Sequence, residues 1–310
     1  MISTYIFPKN GKAFLTMKKL LLILAICLLL TGCAPAAAAD IAATTLPVWQ
    51  FASAITEGTG LTVTRLVTES VSCLHDYTLT VGQMKAIEGA DVVILSGAGL
   101  EEFLGDALDS AAAVIDSSEG IELLQGEHHH HHEGEEEPDE EHHHHEEDPH
   151  IWLSPRRAMA QARNICDGLC ARYPEHSELF RENLTALLSQ LEELDDYGKA
   201  QLEDLSSREI LTFHDGFAYL AQDFGIEIVE AIEEESGAEA SARELIHLIG
   251  EVRHHDIRAI FVEENGSGSA ASIIAAETGA NLSSLSMAMS GDDYFSAMYA
   301  NIDSLKEALQ

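Results

Sequence analysis

Basic residues are scarce in this sequence. Only 17 lysines and arginines stand against 53 aspartates and glutamates, which gives a formal net charge of −36 at pH 7. A protein that binds nucleic acid neutralises phosphates with a basic face, so this balance argues against that class of partner. An acidic surface attracts cations instead, although a purely solubilising charge is the alternative.

Long hydrophobic runs are also lacking. The apolar stretch over residues 20–30 is too short to cross a bilayer core about 30 Å thick as a helix, and it has the length found in secretory signals. The motif "LTGC" that follows it resembles a bacterial lipobox, although an ordinary signal with a chance cysteine is the alternative. We predict a signal peptide over 1–32 that starts at Met17, and a spacer over 33–40 whose lipidated Cys33 anchors the protein on the extracytoplasmic face of the cell membrane.

Cysteine is rare as well, with five residues in the whole chain. Cys27 leaves with the predicted signal and Cys33 carries the lipid. The remaining Cys73, Cys166 and Cys170 are an odd number in an exported protein, so at least one free thiol is implied. Cys166 and Cys170 share a helix face at a distance that suits a disulfide and in a direction that does not, so their redox state stays open.

The sequence does contain a regular alternation of short apolar strands and amphipathic helices. Strand segments such as "DVVILSG", "REILTF" and "IRAIFVEE" alternate with helical segments such as "LEEFLGDAL", as a parallel sheet covered on both faces requires. The stretch "HSELFRENLTALLSQLEELDDYGKAQLEDL" predicts one long helix, although two ordinary helices would fit. We predict an α/β fold of two Rossmann-like lobes, 41–150 and 207–310, joined by one long connecting helix within a helical region 151–206, with a ligand site in the cleft between the lobes.

One segment fits neither pattern. The stretch "GEHHHHHEGEEEPDEEHHHHEEDPH", residues 126–150, holds ten histidines and eleven carboxylates. With no apolar residue to bury between 127 and 148, we predict a disordered loop over 126–149. Imidazoles beside carboxylates form weak, exchanging zinc sites, so we predict metal capture there, with a merely solvated loop as the alternative. The capturing histidines are His128, His129, His130, His131, His132, His142, His143, His144 and His145.

Three isolated histidines stand at the edges of predicted elements, where side chains point into a cleft. They are His75, His150 and His214, and each has an aspartate one or two residues away, namely Asp76, Asp148 and Asp215. A metal-bound imidazole commonly gives its second N–H to a carboxylate. The three matching contexts therefore favour metal ligands over ordinary surface histidines.

The segments "HDYTL", "DPHIWLSP", "FHDGFAYLAQDFGI" and "IRAIFVEENGS", in this order around a histidine-rich acidic insert, resemble the substrate-binding lipoproteins of zinc and manganese ABC importers. The resemblance covers essentially the whole mature chain. It implies two α/β lobes joined by one rigid helix, with a metal held between them. The ligand motifs of the family fall on His75, His150 and His214, and the carboxylate of its "F-x-E" strand end falls on Glu263.

The chain departs from the family pattern at two places. Leu74 stands where zinc-binding members often have an acid, and Ser286 stands where many members have an aspartate late in the second lobe. The fourth ligand is therefore Glu263, a water or Glu264. A thiolate ligand from Cys73 is a further alternative.

The predicted ligands favour zinc. Imidazoles with one oxygen suit tetrahedral Zn²⁺, whereas Mn²⁺ prefers carboxylate-rich sites, and manganese-binding members tend to have glutamate at the place of His214. The resemblance implies a monomeric, non-enzymatic protein that delivers Zn²⁺ to an ABC permease and its cytoplasmic ATPase. A manganese-binding importer component and an adhesin-like or metal-buffering surface lipoprotein are alternatives. A zinc hydrolase is a more remote alternative, because no His-Glu-x-x-His spacing is present.

Overall fold

The structure is a computed structural model that describes residues 39–69, 74, 77–126, 147–232, 241–264, 266 and 268–310. The chain from Ala39 to Gln310 forms one compact unit. The predicted signal peptide, the predicted lipidation site Cys33 and the nine histidines of the tract lie outside the described residues. So do two residues of the first lobe that the sequence singles out, His75 and Cys73.

The first lobe is built on a four-stranded parallel sheet in the order β2-β1-β3-β4. Its strands are β1 (Ile41–Ala43), β2 (Val63–Arg65), β3 (Val92–Leu95) and β4 (Val114–Asp116). The helices that follow β1 and β2 are α1 (Leu46–Ile55) and α2 (Val81–Gly89). A capping box between Thr80 and Gln83 starts α2, because each side chain accepts the other residue's backbone N–H.

Two helices connect the sheets. A short 3₁₀ turn, Ile151–Leu153, leads into α3 (Pro155–Arg172), and a second turn, Pro174–His176, leads into α4 (Ser177–Gln201). Ser154 caps α3 by accepting the N–H of Arg157 at 3.1 Å, with proline at the first helical position. The predicted long connecting helix is confirmed as α4, which is continuous over 25 residues.

The second lobe repeats the strand order of the first, as β6-β5-β7-β8, again all parallel. Its strands are β5 (Glu209–Phe213), β6 (Glu227–Ala231), β7 (Ala259–Glu263) and β8 (Asn281–Leu285). Its helices are α5 (Ala218–Phe224), α6 (Ala242–His254), α7 (Ser269–Thr278) and α8 (Tyr294–Leu309). Gly225 and Gly279 end α5 and α7 in the left-handed conformation that glycine adopts most easily.

One hydrophobic cluster runs through both lobes and the connecting helices. It contains Phe51 of α1, Trp152, Phe180 of α4 and Tyr294 of α8, all fully buried. Smaller clusters cover the opposite face of each sheet, so both sheets are buried on two sides. Because the large cluster is shared, the lobes are held together by packing as well as by the helices between them.

Polar contacts add to this packing. Gln50 of α1 donates to Asp293 at 2.5 Å and accepts the backbone N–H of Tyr294 at 2.7 Å. Arg65 of β2 donates to the carbonyl of Gly291 at 2.8 Å. All three partners lie in or next to the link between β8 and α8, so this link contacts both lobes.

The segment "LEEFLGDAL" differs from its prediction. In place of an ordinary helix the structure has two short 3₁₀ segments within Glu102–Ser110, separated by a kink at Gly105, whose φ is 44°. That left-handed conformation breaks the α-helical pattern and is accessible because glycine has no Cβ. Among the helices in the described ranges, none is long and apolar enough to cross a membrane.

Candidate metal centre

His150 lies just before the turn Ile151–Leu153 and is 8% exposed. Asp148 fixes its orientation, because Asp148 Oδ1 lies 2.8 Å from His150 Nδ1 and accepts the His150 backbone N–H at 2.9 Å. With Nδ1 donating to the carboxylate, Nε2 is the nitrogen left to bind a metal. The structure therefore contains the predicted pairing of His150 with its neighbouring aspartate.

The segment that carries Asp148 is held from several sides. Gln125 and Glu147 form an antiparallel bridge, and the N–H of Asp148 donates to the carbonyl of Leu124 at 2.9 Å. The Tyr219 hydroxyl of the second lobe donates to the carbonyl of Asp148 at 2.7 Å and accepts the N–H of Leu124 at 2.9 Å. The residues that flank the histidine tract, Gln125 and Glu147, therefore pair with each other close to His150 in the chain.

His214 directly follows the carboxyl end of β5. Its ring lies 5.5 Å from the ring of His150, centroid to centroid, at an interplanar angle of 79°. The strand order of the second sheet reverses between β5 and β7, and ligands of open α/β sheets bind at the carboxyl edge beside such a point. The fold thus brings together two predicted ligands that are far apart in the sequence.

Glu263 ends β7, the strand next to β5. It is 4% exposed, whereas Glu264, the first residue after the strand, is exposed. Burial raises the pKa of the Glu263 carboxyl to about 7, while the nearby His150 lowers it and Glu264 raises it. A divalent cation close to this carboxyl would favour its ionised form.

The polar groups of Ser286 are hydrogen-bonded to Ala288 in the same link and to Asn301 of α8. Its hydroxyl accepts the N–H of Ala288 at 3.2 Å, and its backbone N–H and carbonyl pair with the side-chain amide of Asn301 at 2.7 Å each. The place where many similar proteins have an aspartate is therefore occupied by a residue that organises the loop. This arrangement favours Glu263 or a water as the source of oxygen.

The remaining predicted ligand, His75, is outside the described residues, and its neighbour Leu74 is buried. Within the ranges that the structure describes, no group of three histidine, cysteine, aspartate or glutamate side chains is close enough to hold a metal by itself. Two imidazoles and a buried carboxylate are nevertheless donors of the type that zinc prefers.

Three residues beside the candidate site were not singled out from the sequence. Trp152 Nε1 donates to the carbonyl of Met287 at 2.7 Å, and the Tyr294 hydroxyl donates to the carbonyl of Trp152 at 2.7 Å. Trp152 and Met287 are 135 positions apart, so no local pattern relates them. The one available sequence signal was the short distance from Trp152 to His150.

The fold and the site together define a two-lobed solute-binding protein. Two sheets of identical strand order share one core, and polar side chains from different parts of the chain meet at the carboxyl edge of the second sheet.

The comparisons with known proteins give the family. Residues 41–308 match the model of ZnuA, the periplasmic component A of the zinc-uptake complex, and the chain belongs to this family. The zinc-binding protein AdcA of Streptococcus pyogenes serotype M3 is 30% identical over 251 residues, which cover 75% of this chain and 49% of that protein. The high-affinity zinc uptake system protein ZnuA of Bacillus subtilis is 30% identical over 275 residues, 85% of each chain.

Solved structures agree with this assignment. A crystal structure of ZnuA has a TM-score of 0.73 at 28% identity and covers 88% of this chain and all of that one. The Zn(II)-bound ZnuA-like domain of Streptococcus pneumoniae AdcA has a TM-score of 0.72 at 28% identity, with 87% and 98% coverage. The present chain spans about half the length of the S. pyogenes AdcA relatives it matches.

Proposed function

We propose that the protein captures Zn²⁺ between its lobes and delivers it to an ABC permease driven by a cytoplasmic ATPase. The observation that supports this most directly is the convergence of His150 and His214, with 5.5 Å between ring centroids, while Glu263 is buried at the end of β7, the strand that pairs with β5. Imidazoles with one carboxylate suit four-coordinate zinc better than manganese. The AdcA and ZnuA relatives carry zinc in their names, which agrees with this choice of metal.

The proposed ligands are His75, His150, His214 and Glu263, with a water as the alternative to the carboxylate. Each ligand atom would lie about 2.0–2.2 Å from the zinc. Asp148 would support the site without touching the metal, because it holds Nδ1 of His150 and directs Nε2 into the crevice.

The proposed location is the extracytoplasmic face of the cell membrane, with Cys33 as the lipid anchor after removal of residues 1–32. A zinc-binding lipoprotein AdcA of Streptococcus pneumoniae is 31% identical over 94% of this chain, which agrees with an anchored form. Metabolic labelling with a palmitate analogue tests the anchor, with Cys33→Ser as the control. Labelling that persists in the Cys33→Ser variant would contradict it.

The histidine tract has the proposed role of collecting zinc near the mouth of the site. This proposal is supported by the bridge between Gln125 and Glu147, which brings both ends of the tract next to the segment of Asp148 and His150. Zinc released from the tract would therefore start its path close to the buried ligands.

A zinc titration with native mass spectrometry tests the proposed ligands. His75→Ala, His150→Ala and His214→Ala should each lose the tight site. His255→Ala is the matched control, because this half-exposed histidine of the second lobe pairs with Glu209 and is not a proposed ligand. Retention of tight binding in all three ligand variants would contradict the proposed site, and a parallel titration with Mn²⁺ tests the choice of metal.

Replacing residues 127–146 with a short Gly-Ser linker tests the tract and keeps the bridge residue Glu147. One tight site should survive, weak sites should vanish, and zinc loading at limiting metal should slow. If the tight site also disappears, the tract is part of that site and the collecting role is wrong.

A further inference from the structure

Met287 occupies the link between β8 and α8 and is 3% exposed, so its thioether is part of the interior. It follows Ser286, whose hydroxyl accepts the backbone N–H of Ala288. The loop therefore presents the apolar side chain of Met287 next to the candidate site, while the hydroxyl of Ser286 is used within the loop.

The backbone around Met287 is tightly held. The indole of Trp152 donates to its carbonyl at 2.7 Å, and the amide of Asn301 holds both polar backbone groups of Ser286. Ala288 has a φ of 51°, a left-handed conformation that is uncommon for a residue with a Cβ. The backbone that carries Met287 is therefore fixed on both sides, and the side chain is packed in the interior.

Met287 and His214 meet at Gly216. A Cβ placed on Gly216 would lie 2.6 Å from Met287 Cε and 2.9 Å from His214 Nε2, both closer than real contacts allow. The methyl group of Met287 and the Nε2 edge of His214 therefore line the same small space beside Gly216.

We propose that Met287 determines the metal specificity of the site by limiting how many oxygen atoms can surround the ion. This inference rests on the proposed function and concerns its selectivity. Zn²⁺ is satisfied by four ligands in tetrahedral geometry, whereas Mn²⁺ prefers an octahedral set of oxygens. A methyl group beside His214 Nε2 offers no hydrogen bond to an additional metal-bound water, and a buried water without partners is unfavourable.

Two substitutions of similar volume separate polarity from shape. Met287→Leu keeps an apolar wall and removes the sulfur, while Met287→Gln places an amide that can hold a metal-bound water. The ratio of Zn²⁺ to Mn²⁺ affinity is measured by competition with a chromophoric chelator. We expect Met287→Leu to keep the ratio within about threefold, and Met287→Gln to lower it by about tenfold or more, the effect of one hydrogen bond to a charged group.

Co²⁺ supplies a second measurement that reports coordination number directly. Four-coordinate Co²⁺ absorbs visible light strongly, and six-coordinate Co²⁺ absorbs weakly. The wild type and Met287→Leu should give intense bands, and Met287→Gln should give weak ones. Thermal melts of each variant show whether it remains folded.

Two results would overturn the inference. One is an unchanged Zn²⁺ to Mn²⁺ ratio with unchanged Co²⁺ bands in a folded Met287→Gln variant. The other is an equal loss of selectivity in Met287→Leu, which would assign the effect to the sulfur rather than to the apolar wall. Failure of the proposed function would look different, because the wild type would then bind no zinc tightly or His214→Ala would bind as the wild type does.

Discussion

Substitution of Asp148 tests how strongly zinc affinity depends on a carboxylate that does not itself contact the metal. One oxygen of Asp148 accepts both the imidazole Nδ1–H of His150, at 2.8 Å, and its backbone N–H, at 2.9 Å. Its second oxygen, Oδ2, is buried and has no hydrogen-bond partner among the described residues. The carboxylate therefore makes its side-chain hydrogen bond to the imidazole, which orients the ring and makes Nε2 a stronger metal ligand.

The expected loss of zinc affinity depends on whether each Asp148 variant keeps the hydrogen bonds and the charge. Asp148→Asn retains an oxygen that can accept both hydrogen bonds and loses the charge, so zinc affinity should fall about tenfold. Asp148→Ala loses both, so the fall should approach about 100-fold, or about 2.7 kcal/mol of binding free energy.

The assay is competition for zinc against a chelator of known affinity at constant pH and ionic strength. Asp91→Asn is the matched control, because Asp91 is an exposed partner of Arg172 on the first lobe and its loss should leave zinc affinity unchanged. Circular dichroism confirms that the variants fold. If Asp148→Ala bound zinc within about threefold of the wild type, orientation of His150 through Asp148 would be refuted.

Three further predictions follow from the same structure. Gly216→Ala places a methyl group against the Nε2 edge of His214, so zinc affinity should fall about tenfold. Gly250→Ala is the control, because open space surrounds Gly250 and zinc affinity should not change. Equal zinc affinities in the two variants would contradict the prediction. Burial raises the pKa of the Glu101 carboxyl to about 7, compared with about 4.5 in the unfolded chain, so folding takes up a proton between pH 4.5 and pH 7. The free energy of unfolding of the wild type, relative to that of Glu101→Gln, should therefore fall by about 3 kcal/mol as pH rises through that range. Urea unfolding at several pH values measures that difference, and parallel stability curves would show that Glu101 does not titrate there. Gln50→Ala removes two hydrogen bonds that tie the lobes, so the free energy of unfolding should fall by about 1–3 kcal/mol, and an unchanged urea midpoint would refute the role of that contact.

Much of the fold could be predicted because its determinants are local. Continuous apolar runs predict buried parallel strands, and the structure has them in both sheets. Gly225 and Gly279 each follow an apolar helical pattern and end a helix in the left-handed conformation. The helix predicted at "LEEFLGDAL" was wrong, because Gly105 adopts a left-handed conformation whose presence depends on how the segment packs.

Some residues of the candidate site could be predicted from local motifs, and others depend on contacts between distant parts of the chain. Motifs within a few residues were enough to select His150 and to predict its pairing with Asp148, which the structure contains. The role of Ser286 in organising its own loop depends on Asn301, which lies 15 positions later on α8. The apolar wall at Met287 depends on Trp152 across 135 positions. Side chains that meet only after the lobes have packed leave no periodic trace in the sequence.

The amino-acid sequence by itself determined the order of strands and helices, the acidic character of the surface and the chemical types of the candidate ligands. These properties depend on neighbouring residues and on composition, which a linear chain records directly. Only the tertiary structure decided that the rings of His150 and His214 lie 5.5 Å apart and that a thioether stands beside one of them. Such distances are set by the burial of one shared core, to which residues from the whole chain contribute together.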